Sequence, residues 1–332
     1  MKPLEGQVAV VAGATRGAGR GIARALAEAG ALVYCTGRSV TGQPSPYKRP
    51  ETIDETAAMI EGAGGRAIAV RVDHTSEGEV EALFARVERE QNRLDIVADS
   101  VAGEDPLMSD WSAPWDVDLT RAEPLLRQAL VSRLITAKHA TRRMIAHRRG
   151  LLVEVTENDG LSGSGNIVTQ MAKLAHRGLP LMLAPQLKAH GVAAVAITPG
   201  FLRSEQMLEH FGVTEANWRD AGAKDPNFLE SESPLFVGRA IVALATDPQL
   251  MTRSGHLFSS WELGREFGFT DADGHRPDWG MKDVDFSVLP ASLSTLILDG
   301  MELQAEWLHV LAKRSDRYVA RWSPSIRGTA GA

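Results

Sequence analysis

Cysteine, tyrosine and long apolar runs are all scarce in this 332-residue chain. Cys35 is the only cysteine, so no internal disulfide can form and a reducing, cytoplasmic setting is expected. No apolar stretch reaches the ~18 residues of a membrane-spanning helix. The opening MKPLEGQVAVV runs straight into a strand-like segment and lacks a secretory-signal layout. Positive charge is in deficit: 36 Lys and Arg against 42 Asp and Glu leave a formal net charge of −6. That balance gives no global attraction to nucleic acid or to an anionic membrane. The expected partner is a small-molecule substrate, and no metal site is expected. Tyrosine occurs only at positions 34, 47 and 318.

What is present is ordinary globular material, 44% hydrophobic and 23% charged. Residues 8–11 form a short continuous apolar run ending in a glycine-rich turn, which predicts a buried strand. A helix is predicted over 17–30, with Ile22, Ala23, Leu26 and Ala27 on one face. The alternation continues: strand 32–36, a Pro-rich loop, helix 51–64, strand 66–72, helix 76–91 and strand 94–99. Beyond it come a helix near 120–148, strand 151–156, helix 166–190 and strand 192–198. This pattern predicts an α/β chain of Rossmann type: a doubly wound parallel sheet in a three-layer α/β/α arrangement. Residues 201–232 are mixed, with short helical patterns. Ser233 and Pro234 then read as N-cap and first position of a helix reaching about 246. A last short strand is expected at 256–260, and 264–284 read as loop. Leu293, Leu296, Ile297, Gly300, Trp307, Leu308 and Leu311 share one helical face. Residues 1–262 are therefore expected to form the nucleotide-binding domain, including a substrate segment at 201–232. Residues 263–332 are expected to form a C-terminal loop and helical extension.

The stretch AGATRGAGRGIA places Gly13, Gly17 and Gly19 between a strand and a helix. Glycines there permit a tight turn and let the backbone approach a pyrophosphate, which sits on the outward N–H groups of the helix start. Gly13, Thr15, Arg16, Gly17, Ala18 and Gly19 are the candidates for that end of a dinucleotide. An NAD site usually has an acid after the second strand, about 20 residues on. Here VYCTGRS has no carboxylate and offers Arg38, while Arg16 lies in the glycine loop itself. Two guanidiniums suit a ribose 2′-phosphate, so NADP(H) is the expected cofactor. Asp73, with His74 beside it, is placed to meet the adenine. Asp73 is equally suited to capping the helix that begins near 76.

These marks resemble those of the short-chain dehydrogenase/reductase superfamily over roughly residues 5–260. The resemblance rests on the glycine pattern, VDHT with Asp73, Gly103 after the fourth strand, Thr156 after the fifth, Lys173 on the next helix, and TPGFLRS after the sixth. It implies hydride transfer between a nicotinamide and a carbonyl or alcohol. It also implies that Pro199 and Gly200 bracket the nicotinamide, that Ser204 meets its carboxamide, and that Lys173 bonds its ribose. Thr156 takes the substrate-oxygen role. Homodimers or homotetramers are implied, because the family commonly pairs its long helices across subunits.

The departures fall in the catalytic set. The family keeps a tyrosine four residues before the lysine, where this chain has Thr169. The usual pair of asparagines after the fourth strand is replaced by Asp99 and Ser100, and ALVSRLITAKHA contains no asparagine. An aliphatic hydroxyl titrates far above a phenol, so Thr169 cannot donate a proton as tyrosine does; it stays a catalytic candidate, beside Thr156 and Lys173, as a residue that could position a water or the substrate. Three readings stay open. Another group, among Glu157, Asp159, Tyr47 and His176, supplies the proton. Alternatively the substrate is an iminium or activated alkene that needs no acid. In the third, redox use is gone and the scaffold serves a non-redox cyclisation or isomerisation, or senses NADP(H). The intact nicotinamide end, Lys173, Pro199, Gly200 and Ser204, favours retained redox use. Trp111, Trp115 and Trp218 are candidates for the substrate wall or for core.

Overall fold

The computed structural model describes residues 2–43, 49–103, 107, 113–157 and 167–279. The chain divides into one unit of Met1–Gly280 and another of Met281–Ala332. The expected helical face at 293–311, together with Tyr47, Trp111, Asp159 and Tyr318, lies outside the described residues.

Seven parallel strands form one sheet in the order β3-β2-β1-β4-β5-β6-β7. They are β1 Val8–Ala12, β2 Leu32–Gly37, β3 Arg66–Arg71, β4 Ile96–Asp99, β5 Gly150–Val155, β6 Val192–Thr198 and β7 Leu257–Ser259. Most are buried on both faces, which is why they read as continuous apolar runs. Alternate residues still serve opposite layers. Ala9 and Val11 pack with α1 (Gly17–Glu28), α2 (Ile53–Gly62) and α8 (Pro234–Thr246). Val8 and Val10 pack with α3 (Glu77–Gln91), α5 (Ser132–His147) and α6 (Ile167–Leu187). The remaining helices are α4 Leu119–Leu126, α7 Glu205–Phe211, α9 Leu250–Arg253 and α10 Ser260–Phe267. Strand order reverses between β1 and β4, and the carboxyl ends of the strands open a crevice there.

Local chemistry explains the helix ends. Thr52 caps α2 by accepting from the Glu55 N–H at 3.1 Å, and Ser233 caps α8 with Pro234 at its first position. Two helical segments differ from expectation. The segment near 120–148 is two helices joined by a π-turn, Arg127–Val131. Residues 260–267 are helical rather than strand end and loop, because the Ser259 hydroxyl caps the turn and Trp261 and Leu263 find a core to fill. The short helical patterns expected in 201–232 are α7 and two short 3₁₀ turns, Trp218–Ala223 and Pro226–Glu230.

Those turns enclose an aromatic knot around a buried arginine. Arg203 stacks over Trp218 at 4.0 Å and pairs with Glu215 at 2.9 Å and Asp271 at 3.0 Å. Asp271 also accepts from the Ser233 N–H at 2.7 Å, so residues just beyond α10 are tied to the start of α8. A buried guanidinium needs this degree of pairing. Trp218 is therefore core, while Trp115 is exposed.

Candidate active site

A cleft of about 1120 Å³ lies over the switch point. Gly13, Thr15, Arg16, Gly17, Ala18, Arg38, Asp73, His74, Thr156, Lys173, Pro199, Gly200 and Ser204 all border it. Gly19 and Thr169 are not among its lining residues. Gly19 instead packs against the glycine loop: a Cβ there would stand 2.1 Å from the Gly13 carbonyl oxygen. Gly13, at φ +81°, would place a Cβ 2.5 Å from the Ser100 carbonyl oxygen. Any side chain at either position would push the loop off β4 or off the start of α1, which is why glycine is required.

Gly17 is the first residue of α1, and its N–H donates to Oε2 of Glu205 at 2.8 Å. The other oxygen of Glu205 lies 3.3 Å from Nη1 of Arg20. At the adenosine end, Arg38 Nη1 is 4.0 Å from Asp73 Oδ2. Asp73 Oδ1 accepts from both the N–H and the hydroxyl of Thr75, at 2.9 and 2.7 Å, and so shapes the turn into α3. Burial opposes ionisation of Asp73, but these hydrogen bonds and Arg38 hold its carboxyl below the ordinary range. His74 is buried between the hydroxyls of Thr36 and Thr136, at 2.8 and 2.9 Å, and burial lowers its basicity. Arg49, near the end of the Pro-rich loop, also borders the cleft.

At the other end, Lys173 Nζ lies 2.8 Å from Glu157 Oε1. Arg177 Nη1 donates to the Glu157 carbonyl at 3.3 Å, so α6 holds the residue after Thr156 twice. The Thr156 hydroxyl is buried and has no hydrogen-bond partner among the described residues. Thr169 is buried within α6. His176 Nε2 donates to the Ala129 carbonyl at 2.7 Å, an oxygen that the π-turn presents toward α6. Burial, then the charge of Arg133, pushes His176 down to about 2, so it stays neutral and cannot serve as an acid. Ser204 accepts from the Met207 N–H at 3.3 Å as the cap of α7, which leaves its own hydrogen to donate. Tyr34 is buried in β2 and donates to Glu90 at 2.7 Å; burial pushes it up to about 12.

The segment without an asparagine supplies an arginine instead. Arg133 borders the cleft and donates from Nη1 to Glu154 Oε2 at 2.8 Å and from Nη2 to the Val101 carbonyl at 2.9 Å. Asp99 Oδ1 is 3.7 Å away. Burial, then the Asp99 charge, pushes Glu154 up to about 8. Arg133 could have been suspected from the sequence only by its place on an otherwise apolar helix face. Trp261 and Trp279, which also line the cleft, carried no signal. Among the described residues no group of three or more His, Cys, Asp or Glu side chains is arranged to hold a metal, and no helix is long and apolar enough to cross a membrane.

Residues 7–212 match the family described as short chain dehydrogenase. A mouse protein, dehydrogenase/reductase SDR family member 1, is similar at 35% identity over 277 residues, 82% of this chain and 85% of its own. The solved structure of hydroxysteroid dehydrogenase from Escherichia coli aligns with a TM-score of 0.61 at 21% identity, over 77% of this chain and 95% of that one. An actinorhodin polyketide ketoreductase solved with NADPH aligns with a TM-score of 0.62 at 21% identity, over 76% and 95%. At those identities the two structures speak to the fold alone. The family match spans more than half of the chain and agrees with the sheet order and the glycine loop: the chain belongs to the short-chain dehydrogenase family of oxidoreductases.

Proposed function

We propose that the protein is an NADP(H)-dependent short-chain oxidoreductase acting on a small carbonyl, imine or activated alkene, with no tyrosine as its proton donor. The observation that carries this is the glycine cradle. Gly13 and Gly19 stand where a Cβ would strike backbone, and one cleft joins that cradle to Thr156 and Lys173. The residues present fit a phosphorylated dinucleotide. The N–H groups at the start of α1 would hold the pyrophosphate, Arg16 and Arg38 the 2′-phosphate, Lys173 the ribose, and Ser204 the carboxamide. Bound there, the cofactor supplies or accepts a hydride. The buried Thr156 hydroxyl, without a partner among the described residues, is suited to bond the substrate oxygen or nitrogen.

Proton delivery distinguishes this site. Thr169 carries an aliphatic hydroxyl, and His176 holds its only proton against the Ala129 carbonyl. Glu157 is paired with Lys173. This set favours substrates that take their proton from water after hydride delivery, or that already carry charge, such as an iminium ion. We place the enzyme in the cytoplasm as a homo-oligomer, for which α6 offers an exposed stripe of Ile167, Met171 and Leu174.

The test is a titration with NADPH and NADH read by nicotinamide fluorescence, followed by ketone, iminium and activated-alkene substrates. NADPH preference that collapses in Arg38→Leu, with iminium or alkene turnover exceeding that of ketones, is the expected result. No binding of either cofactor would sink the oxidoreductase reading.

A further inference from the structure

Helix α7 carries two carboxylates one turn apart, Glu205 and Glu209, and both reach donors on the wall of the cleft. Glu205 Oε2 accepts from the Gly17 N–H at 2.8 Å, and its Oε1 is 3.3 Å from Arg20 Nη1. Glu209 pairs with Arg49, whose Nη2 donates to Oε1 at 3.2 Å. Gln206 and Met207, between the two acids, line the same cleft. Gly17 opens α1, so its N–H is one of the donors that a helix leaves without an internal partner. An anion is stabilised at that place by the donor and by the helix dipole. Here the anion is the chain's own carboxylate, contributed from a position 188 residues further along.

We propose that α7 is a built-in competitor for the dinucleotide, with the Glu205 carboxylate occupying the pyrophosphate seat on α1 until the cofactor displaces it. The proposal rests on the NADP(H) reading. One N–H cannot serve a carboxylate and a phosphate together, and the two anions repel. Cofactor entry therefore breaks the Gly17–Glu205 bond and frees α7 at its first turn. Because Ser204, Gln206 and Met207 border the same cleft, that displacement resets the wall against which the substrate lies. Apparent cofactor affinity is reduced by the fraction of molecules in which Glu205 holds the seat. Arg20 keeps its second carboxylate, Glu55 at 2.9 Å, when Glu205 leaves, so the start of α1 stays anchored.

The test compares wild type, Glu205→Gln and Glu205→Ala by NADPH titration, with 2′-AMP, which has no pyrophosphate, as the second probe. Melting curves check that each variant is folded. The expected result is NADPH binding tighter by roughly tenfold in both variants, the scale of one charge-assisted hydrogen bond, with 2′-AMP affinity unchanged. Amide exchange across 205–211 should quicken when NADPH is added to wild type and should not respond in Glu205→Ala. Equal NADPH affinity in all three proteins would overturn this inference and leave the NADP(H) reading standing. Weaker NADPH binding by the folded variants would also overturn it, since Glu205 would then support the seat. Failure of every protein to bind NADPH would remove both readings together.

Discussion

Lys173 Nζ lies 2.8 Å from Glu157 Oε1, joining α6 to the second residue beyond β5. The lysine is largely shielded and the glutamate is 71% exposed. The two partners should therefore respond unequally to mutation. An ion pair with one exposed member is worth about 0–1 kcal/mol, so Glu157→Gln should change stability by less than that and turnover only slightly. Lys173→Met removes the cation from the cleft, and kcat/KM should fall by about 10² or more, the lower bound for losing a group that acts at the reacting end. Steady-state NADPH oxidation by the two variants checks the asymmetry.

The two threonines should also differ. Thr156 holds a buried hydroxyl at the cleft wall with no partner among the described residues, and Thr169, within α6, is not among the residues lining that wall. Thr156→Val should lower kcat by about 10²–10³, the cost of losing one donor to a developing charge. Thr169→Val, which keeps the shape, should cost less than about tenfold because an aliphatic hydroxyl is no acid at neutral pH. Equal losses would return Thr169 to the reacting centre.

Glycine replacements separate cradle from scaffold. Gly19→Ala would drive a methyl to 2.1 Å from the Gly13 carbonyl oxygen, and NADPH binding should disappear along with a clear drop in Tm. Gly62→Ala, in α2, meets nothing within 4 Å. It should leave binding intact and stabilise by roughly 0.4–1 kcal/mol through the unfolded chain. Fluorescence titration and melting of the pair provide the check.

Stability should fall as pH rises from about 4.5 to about 8. Burial, then the Asp99 charge, pushes Glu154 up from 4.5 to about 8; burial likewise pushes Glu232 up to about 8, against hydrogen bonds from Ser260 and the Gly200 N–H. Both keep protons in the folded state that the unfolded chain has released. Their contribution is full below about 4.5 and is lost as pH rises to about 8. Glu154→Gln should flatten part of that decline, seen as a smaller shift in urea midpoint across this range. His176 acts in the opposite direction. With its folded value near 2, it costs stability as pH falls below the 6.5 of the unfolded chain.

Much of this protein is determined by short stretches of sequence. Apolar runs that suit only a strand buried on both faces, glycines where a turn meets a helix start, and Ser233-Pro234 before an apolar helix each act within a few residues. The alternation of strand and helix, the cradle and the spacing of Thr156, Thr169 and Lys173 are legible for that reason. Tertiary structure alone decided which distant side chains share a charge environment. Asp99, Arg133 and Glu154 come from β4, α5 and β5 and meet only because β4 and β5 are neighbours beneath α5. Trp279 reaches Phe201, their ring centroids 5.6 Å apart, and Glu205 reaches Gly17 across 188 residues of chain. No periodicity encodes such meetings. They depend on how helices and loops pack across the carboxyl edge of the sheet, where burial, rather than residue type, sets what each charge can do.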